Sequence, residues 1–190
     1  MLHMKIILLR HGEPDIDASL IVTPREYRHW LDNFNQAMIK DKCLFSEEIK
    51  HLTGQTGFVV CSDLPRSIGS AKLMGFDKPD IIDPLFREFE IPYTNWPWPG
   101  LSASNWTVLF RVMWLLGYSA NAESFNEVRR RASACMSRLI EYAKLYGTVL
   151  FVGHGALFWY LHGLLKKHNW QCSARAPRRH WEYTVYSLAA

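Results

Sequence analysis

The chain has no run of the roughly 18 consecutive apolar residues that a membrane-spanning helix needs. No signal-peptide cleavage pattern follows its short apolar N-terminal stretch, so a membrane partner is not expected. Cysteine is sparse: four residues at scattered, unpaired spacings exclude a disulfide framework and fit a reducing cytoplasmic compartment with buried thiols. HExxH, paired CxxC and carboxylate clusters at metal-ligand spacing are missing too, so neither a metal nor another cofactor is expected. No repeat, low-complexity tract or linker divides the 190 residues, which suit a single domain spanning 1–190 with a full-sized core. Charge of one sign is only modestly in excess, at a formal +4. Part of it lies in Arg129-Arg130-Arg131, Lys166-Lys167, Arg175, Arg178 and Arg179. Solvated helix faces or an anionic substrate explain these residues more simply than nucleic acid does. Nothing in the chain specifies an oligomeric state.

What is present is a set of strand ends that carry chemistry. Lys5 to Leu9 is an aliphatic run that stops at Arg10-His11-Gly12-Glu13. Such runs suit a central strand of a parallel sheet, covered on both faces, and ligands bind beyond the carboxyl ends of these strands. Gly12 permits a sharp turn and a close approach by substrate. Thr148 to Val152 repeats the pattern and ends in Gly153-His154-Gly155, ahead of a helical stretch from Ala156 to Lys167 whose N-terminus favours an anion. Between them, Phe58 to Cys61 leads through Ser62-Asp63-Leu64-Pro65 into a third helix start, with Ser62 or Asp63 as N-cap. Arg66 then sits in the first helical turn, where a cation opposes the helix dipole. If the two histidine strands are neighbours, both imidazoles and both arginines share one sheet edge.

Strand patterns near residues 4–9, 57–61, 79–82, 148–152 and 183–188 alternate with helical stretches. The fold class expected is α/β, a three-layer α/β/α sandwich with a mostly parallel sheet and an antiparallel edge strand, Tyr183 to Leu188. Apolar spacing over Pro24 to Ile39, with Tyr27, Trp30, Leu31 and Phe34, predicts an amphipathic helix whose aromatics belong to the core.

Arg10-His11-Gly12-Glu13 resembles the RHGE signature of the histidine phosphatase superfamily, the phosphoglycerate mutase-like family. Ser62-Asp63-Leu64-Pro65-Arg66-Ser67 with Ser70-Ala71 is similar to that family's second block, and Val152-Gly153-His154-Gly155 to its third. Glu123-Ser124, Glu127-Val128 and Arg131 resemble the helix before the final histidine strand, and the matches keep the family's order over roughly residues 4–188. The resemblance implies that His11 is the nucleophile, taking up a phosphoryl group as phosphohistidine. It implies that Arg10 and Arg66 clamp the phosphate, as guanidinium forks do, and that His154 serves as a cationic donor to a phosphoryl oxygen. Two arginines and a histidine would then supply the charge that a metal supplies in many phosphotransferases.

The family also places an acid after its third strand. In Ile81 to Glu90, Glu88 best fits the Leu-x-Glu type of pattern, as general acid and then base for the attacking water, raised toward neutrality by burial among aromatics, with Glu90 as the rival. Asp17 stands where the family has a phosphate-holding asparagine, and an acid there repels phosphate unless turned away or protonated. The loop Tyr93 to Gly100, carrying Trp96 and Trp98, follows the acid and either overhangs the pocket or covers an exposed core edge or an oligomer contact. The function implied is metal-independent hydrolysis of a phosphomonoester, on a small phosphorylated substrate or a phosphoprotein. The alternatives are a phosphoglycerate-type mutase and a non-catalytic phosphate-binding relative.

Overall fold

The computed structural model describes residues 4–40, 46–172 and 174–188; Cys43 lies outside them. In chain order the elements begin with β1 (Lys5–Arg10), β2 (Ile21–Val22), α1 (Pro24–Gln36), α2 (Glu47–Thr53), β3 (Phe58–Cys61) and α3 (Pro65–Leu73). They continue with β4 (Ile81–Ile82), a 3-10 turn at Pro84–Phe86, β5 (Leu101–Ser102), α4 (Ala103–Leu115) and α5 (Phe125–Tyr146). The last four are β6 (Thr148–Gly153), α6 (Gly155–Lys167), β7 (Trp170–Cys172) and β8 (Tyr183–Leu188).

A six-stranded sheet runs in the order β4-β3-β6-β1-β8-β7. The first four strands are parallel, while β8 and β7 are antiparallel to their neighbours. The period-2 alternation of a strand sorts the residues of β1 between the two faces. Ile6 and Leu8 join Val60, Phe151 and the buried stripes of α5 and α6, including Val128, Leu139, Leu157 and Leu161. Ile7 and Leu9 join Val59, Leu150 and Val152 against Ile49 of α2 and Ala71 of α3. The result is the three-layer sandwich that the strand–helix alternation implies. A separate aromatic cluster, with Tyr27, Trp30, Trp106 and Phe110, packs α1 against α4 beyond the C-terminal edge of the sheet.

The long helix starts and stops for local reasons. Ser124 accepts from the Glu127 N–H while the Glu127 carboxylate accepts from the Ser124 N–H, a capping box. Gly147 ends it at φ +77°, in a region that side chains other than glycine rarely adopt. Thr23, Pro24 and Glu26 start α1 in the same way.

Three expectations need correction. β8 is not an edge strand: it lies between β1 and β7. The edge on that side is the three-residue β7, too short to show alternation. The expected strand at 79–82 shortens to Ile81–Ile82, paired with Val60 and Cys61 of β3, while the Val59 N–H donates instead to the Asp80 carboxylate at 2.7 Å. Neither Ser62 nor Asp63 caps α3, whose N-cap is Leu64 with no side-chain bond; both side chains are used elsewhere. Among the described residues, Cys61 and Cys135 are buried free thiols and Cys172 is a half-buried one, and no helix is long and apolar enough to cross a membrane.

Candidate active site

The strands β1 and β6 end in step. Arg10 lies opposite Gly153 in the parallel register, and the His11 N–H donates to the Gly153 carbonyl at 3.0 Å. His11 and His154 therefore leave neighbouring tips, with ring centroids 5.1 Å apart. On the other side of β6, Cys61 pairs with Val152, which brings Ser62 alongside; its hydroxyl lies 2.7 Å from His154 Nε2.

Both rings are nearly sealed, His11 at 3% and His154 at 0% exposed. Burial above all, then His154 and Arg66, holds His11 well below the ordinary imidazole range, so the ring is neutral at neutral pH. Its Nδ1–H donates to the Gly12 carbonyl at 2.7 Å. That bond assigns the tautomer and leaves Nε2 with its lone pair, as a nucleophile requires. His154 departs from the cationic role expected of it. Burial, followed by Arg66 and Arg10, keeps it neutral as well. The Ser62 hydroxyl can donate to its Nε2 or accept from it.

Arg66, in the first turn of α3, is 1% exposed. Its Nη1 donates to the Phe34 carbonyl at 2.9 Å, and the guanidinium lies 4.4 Å from the centre of the Phe34 ring. Phe34 is thus not only core, as its helical spacing suggests. Burial pulls the Arg66 guanidinium down to about 10, with nearby Glu88 opposing the shift. Arg10 Nη1 donates to the Arg178 carbonyl. Arg10 Nε, Arg66 Nε and His154 Nδ1 are all buried and have no hydrogen-bond partner among the described residues. Buried polar atoms are almost always paired, so two unpaired guanidinium donors beside an unpaired imidazole nitrogen mark a place suited to an anion.

Glu88 meets the anion-favouring helix end that the sequence reading assigned to a ligand. Its Oε2 accepts from the Ala156 N–H and its Oε1 from the Leu157 N–H, both at 2.9 Å, in the first turn of α6. Oε1 also accepts from the Phe89 N–H at 2.9 Å. Arg131 secures this loop: it pairs with Glu123 at 2.6 and 2.5 Å and donates to the carbonyls of Leu85, Arg87 and Glu88. Glu90, two residues on, is exposed and accepts from the Glu123 N–H at 2.8 Å. Asp63 pairs with Arg87. The Asp17 carboxylate is exposed and accepts from both the N–H and the hydroxyl of Ser19, at 2.8 and 2.6 Å. It is committed to its own turn.

A cavity of about 530 Å³ opens between α1 and the Glu88 loop, lined among others by Phe34, Asn35, Arg66, Glu88 and Tyr93. It reaches Arg66 and Glu88, but His11 and His154 do not line it. A groove of about 650 Å³ beside β7, lined by Lys166, Trp170 and Cys172, touches none of the candidate residues. Of the aromatic loop only Tyr93 lines the cavity; Trp96 and Trp98 are 51% and 74% exposed.

Sequence reading missed the segment 174–182. It crosses the strand tips: Arg10 N–H donates to the Glu182 carbonyl at 2.9 Å and Trp181 N–H to the Arg10 carbonyl at 3.1 Å. A Cβ at Gly12 would lie 2.6 Å from the Trp181 ring, so the close approach that this glycine permits is made by the chain itself. His180 Nδ1–H donates to the His11 carbonyl at 3.1 Å, and the two rings are 5.2 Å apart. Ser70 was also missed as a site residue. It accepts from the Gly12 N–H at 2.8 Å and donates to the Arg66 carbonyl at 2.6 Å, tying the nucleophile loop to α3.

Comparison with known proteins agrees with this fold. A sequence-family profile, histidine phosphatase superfamily (branch 1), matches residues 6–185. No curated protein sequence matches significantly. Among solved structures, the open reading frame Rv3214 of Mycobacterium tuberculosis superposes with a TM-score of 0.61 at 18% identity, covering 98% of this chain and 95% of that one. The mycobacterial glucosyl-3-phosphoglycerate phosphatase Rv2419c gives 0.56 at 19% identity, covering 87% and 80%. A mutant phosphoserine phosphatase from Entamoeba histolytica, in complex with phosphoserine, gives 0.56 at 15%, covering 95% and 89%. At these identities the likeness is one of fold.

Proposed function

Because the chain belongs to the histidine phosphatase superfamily (branch 1), we propose that it hydrolyses a small phosphomonoester through a phosphohistidine at His11, without a metal. The observation that carries this reading is a neutral imidazole with Nδ1 committed, set among two buried guanidinium N–H groups and a buried imidazole nitrogen that lack partners among the described residues. Arg10 Nε, Arg66 Nε and His154 Nδ1 hold the non-bridging oxygens, where charge spreads in the transition state. Their donors are fixed in advance, so little reorganisation is needed during transfer. In the first step His11 Nε2 attacks phosphorus and the ester oxygen leaves. Glu88 gives that oxygen its proton from Oε2, which accepts only one N–H and so has a lone pair left for a proton. The carboxylate that remains faces the N-terminus of α6, which suits an anion.

Charge for phosphate comes here from guanidinium groups, which keep their protons at neutral pH even when buried. The cavity supports a small substrate, since about 530 Å³ is within the usual range for small-molecule sites. A phosphate entering by it meets Arg66 first, in competition with the Phe34 carbonyl.

Incubation with an aryl phosphate in excess chelator tests the reading. Wild type is expected to release phosphate and His11→Ala to lose at least about 10⁴-fold in rate, as nucleophile removals do elsewhere. Turnover retained by the variant, or restored only by added divalent metal, contradicts it.

A further inference from the structure

We propose that the cavity beside Glu88 selects a phosphomonoester whose alcohol part carries a cationic amine, and discriminates against one carrying a carboxylate or a second phosphate. The proposal rests on the phosphatase reading above and deepens it to a substrate class. Arg66 and Glu88 line one cavity of about 530 Å³. Arg66 is 1% exposed and its Nε has no partner among the described residues, which marks the end at which phosphate sits. Glu88 gives its proton to the ester oxygen, so that oxygen must come within reach of a second lining residue. The alcohol attached to it then occupies the rest of the cavity.

The charged lining decides what that alcohol can be. Besides Arg66 and Glu88, the charged residues on the wall are Asp32, Arg87 and Glu90. Arg87 is already engaged: its guanidinium fork takes the Asp63 carboxylate, with Nε at 2.6 Å. Asp32, exposed on α1, has no hydrogen bond or ion pair among the described residues. Glu90 spends Oε2 on the Glu123 N–H and leaves Oε1 without a partner among the described residues. Arg28, 5.8 Å from the Tyr93 ring, and Arg111, held by the carbonyls of Phe89 and Glu90, stand nearby without lining the cavity. The other polar lining is amide, from Asn35, Gln36 and Asn121, and is indifferent to the sign of a ligand. With Arg66 given to phosphate and Glu88 to the leaving oxygen, two carboxylates remain for the alcohol and no unpaired cation. A carboxylate or second phosphate placed there meets like charge, whereas an ammonium finds two acceptors.

Three esters of nearly equal size test this: 2-aminoethyl, 2-hydroxyethyl and carboxymethyl phosphate, with a cationic, a neutral and an anionic alcohol part. Each kcat/KM is divided by that of an aryl phosphate with the same enzyme, then compared between wild type and the double variant Asp32→Asn, Glu90→Gln. The intrinsic reactivity of each ester is common to both enzymes and cancels in that comparison. Both substitutions remove charge and keep an acceptor oxygen, which at position 90 still serves the Glu123 N–H. The double variant should lose about tenfold in its preference for the aminoethyl over the hydroxyethyl ester, the scale of close charges at partial screening. It should gain relative rate on the carboxymethyl ester, and the wild-type preference for the amine should shrink as salt rises. Equal preferences in the two enzymes, or a carboxymethyl ester that loses relative rate in the variant, overturn the proposal; His11-dependent release from the aryl phosphate then leaves the phosphatase reading standing. No release from the aryl phosphate by wild type sinks that reading, and this one with it.

Discussion

At the tips of β1 and β6 each candidate side chain leaves a backbone paired on both sides, whereas the segment 174–182 lying over them is held by single bonds at intervals. Arg10 and His11 follow a strand paired with β6 on one side and β8 on the other. His154 follows one paired with β1 and β3. The covering segment has no ladder. It rests on the Arg10 contacts, on the bond from His180, and on Glu182, whose carboxylate accepts from the N–H groups of Arg178 and Arg179 at 2.5 and 2.9 Å. Groups that must keep a reactive geometry are mounted on the sheet, and groups that must let substrate and water pass are mounted on a loop.

The contrast can be broken at either region. The largest effect is expected at the tips. Arg66→Ala should lower kcat/KM for an aryl phosphate by about 10²–10³, the cost of one oxyanion-type donor. A loss below tenfold would place the phosphate elsewhere.

Next is the response of stability to acid. His11 and His154 have folded-state values below the ordinary 6.5, chiefly through burial. Below about pH 6.5 the unfolded chain binds protons that the folded chain refuses, so their contribution is complete above that pH and stability falls as pH drops, by up to about 1.4 kcal/mol per pH unit per group. Denaturant melts between pH 5 and 7 should show that slope. His154→Gln should flatten it by close to one proton, and His180→Gln by less, because the rim imidazole keeps contact with solvent. Equal flattening would erase the distinction between tip and cover.

The smallest effect is expected in the covering segment. Glu182→Ala removes the acceptor for two N–H groups and should cost about 1 kcal/mol of stability. Its kcat/KM for the same substrate should change by less than tenfold, measured alongside Arg66→Ala. A loss as large as that of Arg66→Ala would mean that the segment positions the nucleophile as firmly as the sheet does.

The same contrast explains what could be read from the sequence. β1, β3 and β6 are continuous aliphatic runs that stop at a polar residue, so both strand and tip are visible without tertiary information. Their register, and hence the meeting of His11 with His154, follows once they are neighbours. β7 is three residues with one buried side chain, and nothing periodic announces it. His180 was passed over inside a basic stretch with Arg178 and Arg179, because its contact with His11 depends on where an irregular segment folds back. Phe34 was read by its helical spacing as core, and that spacing is silent about a ring facing a guanidinium. Ser62 looked like a cap because Ser before a helix often is one. In this chain the hydroxyl serves an imidazole 92 residues away.

The most direct test of the account is the identity of the phosphorylated residue. Wild-type protein mixed with a labelled aryl phosphate and quenched in alkali should yield one acid-labile phosphopeptide, carrying the phosphate on His11, and His11→Ala should yield none. Phosphate on any other residue, or an equal label in His11→Ala, would contradict it.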